Sequence, residues 1–288
     1  MVKAILTLFV FAFSIHFNLK AQSNEPNEKD EQNIHGNAFT VHEIWYTAKE
    51  EGGKIVTGKK ISERITPEFK ETFDSNGNKI EDIRYDDKGN ASYTLTYSYD
   101  THQNRLSEKR VNAQGETERV RTISYLYDDS GKILEEKYYS TDSTNSGKTI
   151  YSYDNNSHLS RKVWLTNGGQ QKLKIDFVCD SSGRIIESKE FDKNGGVTFK
   201  YEYLRDHDGR ILEEKNFKGE NKYIGKMTYA YDQNGNCIER SWIKANGKTK
   251  MYWKYSYEYD TSGNWIHLVL HFKKRIVGVA VRELTYNR

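Results

Sequence analysis

The sequence predicts an all-β fold: tandem antiparallel β-hairpin repeats of about 26 residues forming one long, twisted and curled sheet. Three observations predict it. Turn aspartates recur at Asp74, Asp100, Asp128, Asp154, Asp180, Asp206, Asp232 and Asp260, at intervals of 26 or 28 residues, and self-similarity at that period marks one supersecondary unit stacked into an array. Ahead of each aspartate, aromatic and β-branched residues recur at every second position, the period of a strand with one apolar face. Proline occurs only at Pro26 and Pro67, as expected of consecutive paired strands, because proline cannot donate to the ladder.

Residues 1–21 read as a secretory signal peptide. Lys3 supplies the positive start, Ile5 to Phe17 the apolar stretch, and Asn18-Leu-Lys-Ala21 a cleavage site before Gln22. The apolar run is short for a span of ~20 residues and is interrupted by Ser14 and His16. Export to the periplasm, cell surface or extracellular space is therefore expected, with no membrane span after cleavage. The net charge of +3 includes Lys3 and Lys20, so cleavage leaves +1. A near-neutral chain offers no electrostatic reason to bind nucleic acid or an acidic membrane. Residues 22–37, rich in Asn, Glu, Lys and Gln, are expected to form a flexible leader. Residues 38–72 read as an N-terminal capping hairpin, from Ala38–Tyr46 through a turn at Glu50-Glu-Gly-Gly53.

The repeats proper cover residues 73–264. One residue before the aspartate stand Tyr99, Tyr127, Tyr153, Cys179, Arg205, Tyr231 and Tyr259; three before it stand Tyr97, Tyr125, Tyr151, Phe177, Tyr203, Tyr229 and Tyr257. The aspartate can accept amides two residues on, and the glycine three residues on supplies the positive φ that the hairpin demands. In two repeats Gln103 and Ser157 hold the glycine place, and Asn104 and Asn156 are expected to take the left-handed conformation instead. Apolar residues six and eleven past the aspartate mark the second strand. A looser turn follows, with Gly89, Gly115, Gly147, Gly169, Gly195, Gly219 and Gly247. Glutamates seven past the aspartate and lysines nine past it share a face and form a solvated charge ladder, at ~0.2–1 kcal/mol per cross-strand pair.

Residues 265–288 read as an apolar C-terminal capping hairpin, Trp265–Phe272 and Ile276–Val281, which is expected either to cap the array or to serve as a surface for assembly with another chain. Cys179 and Cys237 are separated by roughly five strands at ~4.8 Å each, too far to bridge, and are expected to be small core residues.

No catalytic constellation stands out, and no cofactor or metal site is expected. His267 and His271 lie four residues apart on a strand, ~13 Å, too far to share one ion. Asp-Ser-Asn-Gly-Asn78 and Asp-Gln-Asn-Gly-Asn236 resemble fragments of calcium loops without the closing glutamate. The binding candidates are Tyr138, Trp164 and Trp242, ten past their aspartates where other repeats are mostly polar. Flat rings there can stack on sugars or on apolar groups of a partner, or they pack within the sheet.

The segments Tyr125-Leu-Tyr-Asp-Asp-Ser-Gly131, Tyr229-Ala-Tyr-Asp-Gln-Asn-Gly235 and Tyr257-Glu-Tyr-Asp-Thr-Ser-Gly263 resemble the YD repeats of the RHS family, over about Phe73 to His271. The resemblance implies an exported β-repeat structure, which in larger relatives forms a shell around a toxic C-terminal domain, and some relatives bind carbohydrate. The array is short for such a shell and carries no toxin domain before Arg288, so the scaffold is what is expected to carry over. The expected role is a non-catalytic binding or scaffold module of the bacterial envelope. Its expected partner is a glycan or surface protein. The alternatives are an assembly module self-associating through its C-terminal hairpin, and a remnant of a toxin-delivery shell.

Overall fold

Each turn aspartate folds its own corner. In the computed structural model, Asp128 Oδ1 accepts the amides of Ser130 and Lys132, each at 2.9 Å, while the Gly131 amide donates to Asp128 O at 3.0 Å. The same bonds recur at Asp74, Asp180, Asp232 and Asp260. Gly131 and Gly235 sit at φ 82° and 84°. In the two departing repeats Gln103 (66°) and Ser157 (71°) take the positive φ themselves. Asn104 and Asn156 do not, a correction to the expectation. The corner geometry holds that position even for residues with a Cβ, at a cost of order 1 kcal/mol.

The structure describes residues 27–61, 68–142 and 146–286; the predicted signal peptide lies outside them. Among the described residues, a short helix α1 (Glu28–Glu31) is followed by nineteen strands in one sheet. They are β1 (Ala38–Glu51), β2 (Lys54–Lys60), β3 (Glu68–Phe73), β4 (Lys79–Tyr85), β5 (Ala91–Tyr99), β6 (Arg105–Asn112), β7 (Thr117–Tyr127), β8 (Ile133–Ser140), β9 (Gly147–Tyr153) and β10 (Leu159–Thr166). The series continues with β11 (Gln171–Cys179), β12 (Ile185–Phe191), β13 (Val197–Arg205), β14 (Ile211–Lys218), β15 (Lys222–Tyr231), β16 (Cys237–Lys244), β17 (Thr249–Tyr259), β18 (Trp265–Phe272) and β19 (Arg275–Tyr286). Among the described residues no helix is long and apolar enough to cross a membrane.

A β-bulge follows the turns at Asp74, Asp100, Asp154, Asp180, Asp206 and Asp232. Phe73 pairs with Lys79 and Thr72 with Glu81, which leaves Ile80 as the extra residue, and the shift recurs at Cys179/Ile185, Arg205/Ile211 and Tyr231/Cys237. The bulge sends the residue six past the aspartate outward, so Ile80, Leu106 and Ile186 are exposed. Residues five, eight and ten past the aspartate then share a face with the tyrosines, and residues seven and nine past it take the opposite face. Within the expected charge ladder Glu135 pairs with Lys137 (2.9 Å) and Glu187 with Lys189 (3.6 Å), while lysines outside it, Lys148 and Lys226, hold Glu135 and Glu213 at 2.6 Å each.

The chain falls into two compact units, Met1–Arg121 with Lys254–Arg288, and Thr122–Trp253. In the first unit the two end segments, expected to cap separate edges, pair with each other. β1 runs antiparallel to β19 from Ala38↔Tyr286 to Tyr46↔Val279, so the first and last strands of the chain are neighbours in this unit. On its other side β1 pairs with β3 through Thr40–Ile44 and with β2 from Tyr46 to Glu51. Pairing the two end strands covers edges that would otherwise invite aggregation. A buried ion pair marks the seam: Arg282 Nε lies 2.8 Å from Glu43 Oε2, both under 10% exposed. Trp45 donates to the same carboxylate at 2.7 Å, and the guanidinium stacks 3.7 Å from the Trp265 ring. Polar pairs of this kind can set register.

The leader is not flexible throughout. Residues 27–37 pack on the first unit, with Ile34 4% exposed in a cluster with Ala38, Val41 and Phe73. Asn27 caps α1 by accepting the Asp30 amide at 2.8 Å. The four polar residues of α1 hide this from composition; Ile34 is the segment's buried apolar anchor.

Candidate functional site

The repeated tyrosine one residue before the aspartate is a buckle between repeats. The Tyr153 hydroxyl donates to Ile133 O at 2.8 Å, Tyr231 to Ile211 O at 2.9 Å and Tyr99 to Lys79 O at 2.6 Å. In each case the acceptor is the first residue of the second strand one repeat back, 20 positions earlier. Where the tyrosine is missing, the bond is still made: Arg205 Nε donates to Ile185 O at 3.0 Å, and Cys179 Sγ lies 3.5 Å from Leu159 O. Phe73, ahead of the first aspartate, follows no earlier repeat and carries no donor; it is 3% exposed in the apolar cluster under Ile34. The bulge leaves that carbonyl to the side chain, and a buried carbonyl left unpaired costs about 1–3 kcal/mol.

The candidate aromatics Tyr138, Trp164 and Trp242 all fall in the second unit, half-buried on the tyrosine face. Two of them lie against glycine. A Cβ on Gly147 would meet the Tyr138 hydroxyl at 2.8 Å, and one on Gly225 would meet Trp242 Cζ2 at 3.0 Å. Gly147 accordingly opens β9 rather than sitting in a turn, a second correction. Trp164 stands opposite Thr149 and Leu173, and Trp242 opposite Met227, which is 8% exposed. The three rings are spread over β8, β10 and β16.

Sequence reasoning missed the column eight past the aspartate, which places ionisable groups on the tyrosine face. The signal was present in Glu135-Glu136-Lys137 and Glu213-Glu214-Lys215: three charged residues in a row on a strand cannot all face water. In the second unit these groups lie among rings. Lys162 is 1% exposed with Nζ 5.0 Å from the Tyr151 ring, the Tyr151 hydroxyl donates to Glu136 at 2.8 Å, and Arg240 lies over Tyr229 and Trp253. Burial pushes the Glu190 and Glu214 carboxyls above their ordinary range, and it pushes Tyr203 and Tyr231 up to about 12.

In the first unit the same face is a network of ion pairs. Glu71 (3% exposed) stands directly opposite Asp82 (2%). Lys79 Nζ lies 3.0 Å from Glu71, Arg84 Nη2 lies 3.2 Å from Glu71, and Arg84 Nε lies 2.6 Å from Asp82. Burial pushes Glu71 upward, but Lys79 and Arg84 outweigh it and hold the carboxyl below its ordinary value. Glu108 is bound by Arg119 at 2.6 Å.

Other features are modest. A shallow 530 Å³ groove in the first unit is lined by Ile266, His267, Leu284 and Tyr286 among others. His267 Nδ1 lies 3.8 Å from Glu258, and burial with Lys254 lowers His271 below its ordinary value. Both cysteines are half-buried thiols, and burial pushes Cys237 up to about 11. Among the described residues no three His, Cys, Asp or Glu side chains are grouped to hold a metal ion.

No family model matches the chain, and no curated protein matches it. Solved structures similar to it include a crystal structure of TcdB2-TccC3, at 12% identity and TM-score 0.34 over 75% of this chain, which spans 12% of that one. A porin-like protein from Bacteroides uniformis ATCC 8492 aligns at 7% identity and TM-score 0.40, over 87% of this chain and 99% of that one. A porin-like protein from Bacteroides vulgatus ATCC 8482 aligns at 11% and 0.31, over 87% and 98%.

Proposed function

We propose that the chain is an exported, non-catalytic scaffold of the bacterial cell envelope, built from YD-type repeats, that presents a binding surface to a glycan or a surface protein. One observation carries the reading: the Tyr and Asp that define the repeat both serve the backbone, the hydroxyl bonding a carbonyl one repeat back and the carboxylate bonding two amides of its own turn. A motif used in this way at Tyr99, Tyr153 and Tyr231 is architectural, which leaves function to residues that break the pattern. Tyr138, Trp164 and Trp242 are such residues. All three are half-buried, and Tyr138 and Trp242 lie against glycine, which supports a packing role together with a partly open ring. The alternative of self-association through the C-terminal hairpin has less support, since β19 is already paired with β18 and β1. Glycan-array and pull-down binding by the Trp164→Ala/Trp242→Ala chain tests the reading. A loss of tenfold or more supports the aromatic surface; unchanged binding removes those residues from it.

A further inference from the structure

Five residues past the turn aspartate, six repeats carry Ile133, Leu159, Ile185, Ile211, Cys237 or Trp265, and two carry Lys79 or Arg105. The array does not need a cation at this place. The two cations occur where the N-terminal segment lies over the first unit. Arg105 Nη2 donates to Glu28 Oε1 at 2.9 Å, and the Lys79 amide donates to Glu28 Oε2 at 3.4 Å. The Tyr99 hydroxyl lies 3.2 Å from Oε1, with its proton directed to Lys79 O at 2.6 Å. Contacts other than Glu28 position the guanidinium: Arg105 lies 4.3 Å from the Tyr97 ring centroid and 3.8 Å from Glu108. The site is thus assembled from the repeats themselves and receives a carboxylate from outside them.

The segment that delivers the carboxylate is lightly built. It begins on the first turn, where Asn27 Nδ2 donates to Asn76 O at 2.9 Å and the Lys29 amide donates to Gly77 O at 3.1 Å. It ends on the last turn, where the His35 amide donates to Asn264 Oδ1 at 2.6 Å and Asn264 Nδ2 donates to His35 O at 3.1 Å. Between these points it crosses the β1–β19 seam with Ile34 as its one buried apolar side chain. A four-residue helix is far too short to be stable alone, so its residence depends on those contacts.

We propose that the first two repeats form a binding site for the carboxylate of a short acidic peptide, that Glu28 is its resident occupant, and that an acidic segment of a partner protein takes its place when the N-terminal segment lifts. The segment is then an internal competitor that keeps the site filled until the partner arrives. This goes beyond the scaffold reading and involves none of Tyr138, Trp164 and Trp242, so its failure leaves that reading standing.

The test uses the full chain and a fluorescein-labelled synthetic peptide with the sequence of residues 27–37, followed by fluorescence anisotropy. The peptide is expected to bind the Glu28→Gln chain at least tenfold more tightly than the natural chain, whose own segment competes. Adding Arg105→Gln to that chain, or using the Glu28→Gln peptide, is expected to weaken binding tenfold or more. Equal binding to the natural and Glu28→Gln chains, or binding indifferent to Arg105, overturns the proposal. Amide exchange on the natural chain gives a second reading that needs no variant. The Ile34 amide, bonded to Lys29 O at 3.1 Å, is expected to exchange at least a hundredfold faster than the protected amides of β1. Equal protection overturns release of the segment.

Discussion

The first and second units use the same repeat but fill its tyrosine face in opposite ways. In the first, buried acids meet bases: Glu71 with Lys79 and Arg84, Asp82 with Arg84, Glu108 with Arg119. In the second, Glu190 and Glu214 are buried beside tyrosines, with Arg240 the one cation that acts to lower Glu214. Burial alone raises a carboxyl pKa and a neighbouring cation lowers it, and the two units separate those effects within one chain. Glu71 therefore contributes stability above its ordinary value of 4.5 and loses it as pH falls through its lowered value. Glu190 and Glu214 do the reverse: their contribution is complete below 4.5 and is lost as pH rises through their raised values.

The largest expected effect comes from breaking the network of the first unit. Arg84→Leu leaves Glu71 and Asp82 facing each other with Lys79 as the remaining base, and it is expected to cost about 3–5 kcal/mol, the typical cost of removing one partner of a buried pair. Urea unfolding at pH 7 measures it, and a loss under ~1 kcal/mol would show that water, not Arg84, solvates these acids. A smaller effect of opposite sign is expected in the second unit. Glu214→Gln removes a carboxyl that burial disfavours as an anion and is expected to raise Tm at pH 7 by ~2–4 °C, the scale of about 1 kcal/mol in a chain of this size. The gain should vanish below pH 4.5, where Glu214 is already protonated. A gain that persists there would assign the effect to packing.

The repeat was legible because its signals are local. Asp128 and Gly131 fix a corner within four residues, and alternation fixes a strand without reference to the rest of the chain. The pairing of the two end segments was not legible: Glu43 and Arg282 are 239 residues apart, and nothing in either end hairpin names the other as its partner. The exposed position of Ile80 and Ile186 depends on a bulge that inserts one residue between turn and strand, invisible to a count of alternating positions. The docking of residues 27–37 combines one buried apolar side chain, Ile34, with polar contacts to distant turns that composition does not reveal. Of the candidate aromatics, their departure from the column was legible, but the glycines beneath Tyr138 and Trp242 depend on cross-strand register.

The central claim is that the repeat tyrosine is a structural bond to the preceding repeat, and Tyr231→Phe tests it most directly because it deletes one oxygen. Thermal and urea unfolding of that chain should show a loss of about 0.5–1.5 kcal/mol, the net worth of one hydrogen bond, or more if Ile211 O is left dry, with the β-sheet circular dichroism spectrum retained. Unchanged stability would contradict the account and leave the recurrence of the tyrosine to be explained by something other than architecture.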